Sequence, residues 1–402
     1  MIIKNGYVII DNKLTKKDVE ITGNIISKVA DDIQGSDTLD ASDCLIMPGA
    51  FDVHVHLRQP GYEYKETIAS GTNAAAKGGV TSILTMPNLN PCPHNLENLK
   101  VQQDIIDLDS VVNAYPSAAV SVNEKGQEIS DLENLCKKVI AITDDGVGVN
   151  NIEILTKAME IAKKYDVVMA SHAEDSINGK LPEGEYNAVR REIELAKKIG
   201  CKYHFMHMST KESFEAIRKA HQEGYSNITC EVSPHHLLLN SSMIKNGNYK
   251  MNPPLREESN RLETIKALLD GTACIIASDH APHSFEEKNK EYEKCLNGII
   301  GIETMLPLIY THFIKTNKAS LNDFVNWFVN NPRKLFKLDE RKIQEGYIAD
   351  IAVLDIKNVR EYKEEEILSL SHNCPYIGMK MTGFARYTLV NGKLVWRDKY
   401  EI

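Results

Sequence analysis

The stretch "FDVHVHLRQPG", Phe51–Gly61, sets two histidines one residue apart in an apolar run, then an arginine and a proline–glycine turn. In a β-strand successive side chains point to opposite faces, so Asp52, His54 and His56 share one side and Phe51, Val53 and Val55 the other. What the two imidazoles meet on their side depends on where the rest of the chain puts its polar residues.

Short apolar runs of strand texture recur at 51–57, 81–87, 117–122, 139–145, 167–173, 202–208, 227–233 and 273–279. Between them lie stretches with apolar residues three and four apart, such as 151–165, 210–224 and 260–271, which is the spacing of a helix with one buried face. Eight strands alternating with helices predict an α/β fold, a (β/α)8 barrel of the TIM type. The two ends read differently. Residues 1–45 alternate as strands, with Thr22-Gly23-Asn24 as a hairpin loop, and beyond 345 strand texture returns in "YIADIAVLDI" and "RYTLVNGKLVWRD", where Asn391-Gly392 is a strong hairpin signal. The expected organisation is a small β-sandwich domain formed by segments 1–46 and 345–402, from which a barrel over 47–344 emerges.

Composition narrows the function. The chain has 402 residues, 42% hydrophobic and 26% charged, as in ordinary globular proteins. No apolar run approaches the roughly 20 residues that span a bilayer. The start, "MIIKNGYVII", lacks the basic, apolar and small-residue parts of a secretory signal, so a cytoplasmic location is expected. The eight cysteines form no CxxC pair and read as buried thiols. A net charge of −9 argues against a nucleic-acid surface, so any anionic substrate must be met by local cations.

In a barrel of this type the active site lies at the C-terminal ends of the strands. Those ends carry His54 and His56, Asn88, Asp144 and Asp145, His172, His207, His235 and His236, and Asp279 with His280. A single histidine in a β run is most simply a core or surface residue, and His204, His221, His312 and His372 are read that way. Histidine or aspartate at five matching strand ends instead points to a divalent metal site. Imidazole nitrogens with carboxylate oxygens and no thiolate suit zinc. Four imidazoles and two carboxylates exceed the needs of one tetrahedral ion and fit a pair roughly 3.5–4 Å apart, a device for hydrolysis.

In order along the chain, "PGAFDVHVHLRQPG", "TSILTMPN", "ITDDGVGV", "SHAED", "HFMHMSTKES", "CEVSPHHLLL", "KMNPPLR" and "ASDHAPH" resemble the bacterial class I dihydroorotases of the amidohydrolase superfamily. The resemblance runs almost end to end. It implies hydrolysis of a cyclic amide, with His54, His56 and Asp279 on one zinc ion, His172 and His207 on a second, and Asp145 bridging them. Asp145 is preferred to Asp144 because its separation from His172 resembles the family's. Many superfamily members bridge with a carbamylated lysine, but no lysine lies between Val139 and Asn150. Asp279 would also be the proton-shuttling catalytic residue. Arg58, Asn88, Asn252 and His283 match substrate-binding positions, Arg58 clamping a ring carboxylate with Asn88 and His283 around it. Asn297 and Gly298 would add main-chain contacts, although Asn297 stands where relatives often have an aromatic residue. His235, His236 and His280 would support the site from behind.

The charged run 284–296 reads equally as a mobile lid or a plain solvated loop. Two alternatives compete: a hydantoinase- or allantoinase-type cyclic amidohydrolase, whose ring lacks the carboxylate, and a non-catalytic scaffold for aspartate transcarbamoylase. The resemblance also implies a small-molecule substrate, a homodimer and association, in some relatives, with aspartate transcarbamoylase.

Overall fold

A computed structural model describes residues 1–399. Its centre is a closed barrel of eight parallel strands. The first is Ala50–Val55, followed by Val80–Thr85, a third strand in two pieces (Asn113–Pro116 and Ala118–Ala119), Ala141–Thr143, Val168–Ser171, Tyr203–Phe205, Ile228–Val232 and Ile275–Ile276. Closure comes from a parallel bridge between Val55 and His280, with His56 N–H donating to His280 O at 2.8 Å. The third strand starts earlier than its apolar run suggests, and the eighth holds only two ladder residues. The eighth stops early because Ser278 turns its N–H to the Asp52 carboxylate (3.0 Å) and Asp279 leaves the strand conformation at φ 48°.

The connecting helices begin and end where local chemistry directs. Helix Ile152–Tyr165 is capped by the Asn151 side chain, which accepts from Glu153 N and Ile154 N, and it stops at Asp166 in the left-handed region. Pro182 opens the 18-residue helix Pro182–Ile199, and Gly200, at φ 77°, ends it. The apolar faces of these helices pack on the outside of the barrel with Val55, Ile83, Ile142, Met169, Phe205 and Val232. Phe51, Val53, Leu84, Val168, Ala170 and Ile275 form a separate cluster closed by Phe336.

Both chain ends meet in a second body. An eight-stranded sheet combines Ile2–Ile10, Lys13–Thr22, Ile25–Ala30, Thr38–Asp40 and Cys44–Pro48 with Ile351–Asp355, Ala385–Val390 and Lys393–Arg397. The join is antiparallel pairing of Cys44–Pro48 with Ile351–Asp355, Ile46 opposite Val353. Ile3, Val19, Ile26, Ile46, Ile351 and Leu389, drawn from both ends of the sheet's path, share one buried cluster, as the layers of a sandwich must. The short hairpin pair Arg360–Glu361 and Lys380–Met381 lies outside this sheet. Tyr362, Cys374, Tyr376 and Met381 instead pack over the barrel rim against Met251, Leu255 and Ile300. No helix among the described residues is long and apolar enough to cross a membrane.

Candidate metal centre and substrate pocket

His54 and His56 reach the same place by a slightly irregular route. A register shift between Asp52 and Val55 breaks strict alternation, sending Val55 into the outer core while Phe51 and Val53 stay in the other cluster. Both rings still face one carboxylate pair. His54 Nε2 lies 3.5 Å from Asp145 Oδ1 and 3.5 Å from Asp279 Oδ1, and His56 Nε2 lies 3.3 Å from Asp145 Oδ2 and 3.4 Å from Asp279 Oδ1.

From the fifth and sixth strands, His172 Nδ1 and His207 Nε2 stand 3.0 Å apart, at 3.7 and 3.8 Å from Asp145 Oδ1. Asp145 therefore touches all four imidazoles. Asp144 points elsewhere: its carboxylate accepts from Val120 N at 2.8 Å and Ser121 N at 3.0 Å and from the Ser121 hydroxyl. Arg58, His207 and Asp279 all adopt positive φ (60°, 36° and 48°), a costly backbone region for non-glycine residues that tends to mark functional sites.

All six groups are buried, and their titration is pulled in opposite directions. Burial opposes charge on His54, but Asp145 and Asp279 outweigh it and hold the ring well above the ordinary imidazole range. Burial and Arg58 push His56 well below that range. Burial raises the Asp279 carboxyl to about 7, whereas His54, His172 and His207 outweigh burial at Asp145 and hold it well below the carboxylate range. Two sets, His54 with His56 and Asp279, and His54 with Asp145 and His207, bring their donor atoms within 4.8 Å of one another. His54 Nε2 and Asp145 Oδ1 are buried without a hydrogen-bond partner, although each has the other nearby. Such atoms are rarely left unpartnered, and a divalent cation would satisfy them. The donor set thus fits a metal ion.

Beside this centre opens a cavity of about 300 Å3, lined by His56, Arg58, Asn88, Asn252, His283 and Gly298 among others. The Arg58 guanidinium is held by Pro282 O (3.2 Å) and approaches His283 Nε2 (3.4 Å). Burial, Arg58 and Lys65 push His283 down to about 3, so its ring is neutral at ordinary pH. His283 Nε2 meets Asn297 O at 2.7 Å. Gly298 is required by space and conformation: at φ 139°, an added Cβ would come within 2.7 Å of Ala281 O and 2.9 Å of His283 Cδ2.

A model of the dihydro-orotase-like family matches residues 43–181. A dihydroorotase of Fusobacterium nucleatum is 39% identical over 100% of both chains, and one of Staphylococcus aureus is 39% identical over 98% of both. This chain belongs to the dihydroorotase family. Among solved structures, an L-hydantoinase (dihydropyrimidinase) from Arthrobacter aurescens superposes with a TM-score of 0.89 at 24% identity, covering 100% of this chain and 96% of that one, a likeness of fold.

Several residues that steady the site in this dihydroorotase-family chain are invisible to motif reading. Glu231, in the seventh strand, accepts from His54 Nδ1 at 2.9 Å and His204 Nε2 at 3.0 Å. With Nδ1 turned to Glu231, Nε2 is the nitrogen of His54 that faces the centre and, once its proton is displaced, can hold a cation. The signal was a carboxylate at an otherwise apolar position of a buried strand, "ITCEV", which demands a partner. Glu124 accepts from Asn88 Nδ2 (3.0 and 3.2 Å) and Glu174 from Asn252 Nδ2 (3.0 Å). With Asp145 O also accepting from Asn88 Nδ2 at 2.8 Å, both amide hydrogens of Asn88 are engaged within the protein. Of the supporting histidines, His236 Nε2 donates to Pro253 O (3.1 Å), next to Asn252, and His280 faces Glu66 (3.4 Å). His235 is fully buried beside His236 with both ring nitrogens lacking a hydrogen-bond partner.

Proposed function

We propose that this dihydroorotase-family chain catalyses the reversible hydrolysis of dihydroorotate to N-carbamoyl-L-aspartate, a step of pyrimidine biosynthesis. The observation that carries the reading is Asp145 within 3.8 Å of four imidazoles, with the Arg58 guanidinium lining the same cavity. His54, His56 and Asp279 would hold one zinc ion, His172 and His207 a second, and Asp145 would bridge them. When bound, the metal supplies Lewis acidity, bringing a water's pKa near neutrality and polarising a carbonyl.

The protein's own groups do the rest. Arg58 clamps the ring carboxylate, with neutral His283 beside it. Asn252, Asn297 and Gly298 line the cavity around the ring, and Asn88, its amide hydrogens engaged within the protein, forms part of the same wall. Asp279, buried at the centre beside the place where the water would be held, takes the proton of the attacking water and returns it to the departing ring nitrogen. Of the remaining parts of the reading, a homodimer and association with aspartate transcarbamoylase draw support from the family resemblance alone, and a cytoplasmic location stays the expectation drawn from the sequence.

A hydantoinase-type activity gains support from the shared fold, but a half-buried arginine lining the pocket suits a substrate bearing an anion. A metal-free scaffold role fits poorly with six filled donor positions. The deciding experiment assays dihydroorotate and hydantoin hydrolysis with metal analysis, for the wild type, Asp279→Asn and Arg58→Ala. Loss of dihydroorotate turnover with metal retained in both variants supports the assignment. Hydantoin turnover that survives Arg58→Ala moves it to the hydantoinases, and a wild type without metal or turnover supports the scaffold.

A further inference from the structure

The charged segment 284–296 is tied down rather than free. Ser284 caps the short helix Phe285–Lys288 in a reciprocal capping box with Glu287. Two consecutive side chains of that helix then reach in different directions. Glu287 meets Lys65 Nζ at 3.0 Å, His283 Nδ1 at 3.0 Å and Tyr64 Oη at 3.0 Å, tying the helix to the loop that follows Arg58.

Lys288 goes inward. Its side chain is buried, and its Nζ donates to Lys250 O at 3.0 Å, Leu296 O at 2.9 Å and Gly298 O at 2.8 Å. An ammonium has three N–H groups, and all three are used here. The carbonyls belong to two separate stretches of chain. Lys250 lies two residues before Asn252, while Leu296 and Gly298 flank Asn297. These stretches also bond directly, Gly298 N to Lys250 O at 2.9 Å, and Asn373 Nδ2 adds a further bond to Gly298 O at 3.0 Å.

We propose that Lys288 is a positioning residue for substrate binding: its ammonium fastens the Asn252 and Asn297–Gly298 segments at the spacing the ring requires. The proposal rests on the dihydroorotase reading of the pocket. A charge-assisted bond to each of three carbonyls is stronger than a neutral one, and no neutral side chain supplies three donors from one atom. A second consequence concerns pH. Burial lowers the Lys288 ammonium to about 7, with Lys250 pulling the same way and Glu287 the opposite way. The charged and titratable groups facing it are Lys250, Glu287 and the Cys295 thiol. Loss of its proton removes one donor and the charge, so substrate binding weakens as pH rises through that region while the chemical step keeps its own profile.

The test uses the metal-loaded protein with dihydroorotate and compares the wild type with Lys288→Met and Lys288→Gln. The expected result is a KM raised at least tenfold in Lys288→Met, with kcat within about threefold and metal content unchanged. Lys288→Gln, which keeps two donors, should fall between them, and the rise of KM with pH seen in the wild type should vanish in Lys288→Met. An unchanged KM in both variants, or loss of kcat with KM intact, overturns the proposal. Failure of both variants to fold overturns it too, since Lys288 would then serve folding rather than binding. A wild type that does not turn over dihydroorotate would sink the functional reading itself, an outcome separate from any of these.

Discussion

Glu231 Oε1 stands 2.9 Å from His54 Nδ1, on the far side of the ring from Nε2, which faces Asp145 and Asp279. The carboxylate fixes both the tautomer and the tilt of His54. It stays ionised although fully buried, because bonds from His204 and His54 outweigh burial and hold it at about 2. Replacing it with Gln weakens this grip while preserving shape. Glu231→Gln should lower metal affinity about tenfold or more, measured by competition with a chromogenic chelator. An unchanged affinity would reduce Glu231 to a filler of the barrel interior.

Metal uptake should depend on pH through Asp279. Burial raises this carboxyl to about 7 in the metal-free protein, and the repulsion of Asp145 adds to it. Below that value a proton occupies the group and has to leave before a cation is held. The protons held by His54 and His172 have to leave on both sides of pH 7, so Asp279 should add a further factor of about ten per pH unit to the fall in affinity below 7. Chelator titrations between pH 5.5 and 8.5 check this. The same slope in Asp279→Asn would assign the proton elsewhere.

Gly298 has no room for a side chain. In Gly298→Ala the new Cβ would press on Ala281 O and on the His283 ring, and φ 139° disfavours any L-residue. Displacing His283 by a fraction of an ångström should reduce kcat/KM by about tenfold to hundredfold. Steady-state kinetics with a parallel thermal melt would show whether the loss is local.

Arg256 and Glu185 form a buried pair behind the pocket. Arg256 donates to Ser209 Oγ (3.0 Å) and Lys180 O (2.7 Å) and lies 3.7 Å from Glu185, which accepts from Ser209 N and Thr210 N. Burial raises the Glu185 carboxyl, but Arg256 and these donors outweigh it and hold it below its usual 4.5. Arg256→Met strands a buried charge and should cost about 3 kcal/mol in chemical denaturation near neutral pH. Since the folded carboxyl titrates below the unfolded one, this stabilisation is present above 4.5 and is lost as pH falls through the folded value. The gap between wild type and variant should narrow toward pH 3.

The barrel and the four imidazoles were legible because each rests on local pattern. The His-x-His spacing kept His54 and His56 together despite the register shift that breaks strict alternation around them, and the β–α rhythm put Asp145, His172, His207 and Asp279 at matching ends. The choice of Asp145 over Asp144 came from the family resemblance and not from local pattern, since it turns on Ser121 and Val120 drawing the Asp144 carboxylate away. Glu124, Glu174 and Glu231 were missed for a related reason: a lone acid has no periodicity, and its partner arrives from another strand or loop. The segment 284–296 looked like loose charge, yet Glu287 and Lys288 spend theirs on His283, Lys65 and main-chain carbonyls. Composition counts charges without saying which way they point.

The bridge from Val55 to His280 joins the first strand to the last, the one joint of the barrel whose two sides lie more than half the chain apart in sequence. His54 and His56 sit on one side of it and Asp279 on the other. A cation held between them would therefore act as a clasp on the barrel wall as well as a reagent. Stripping it should let that joint breathe before any other, and faster amide exchange at His56 would be the first sign.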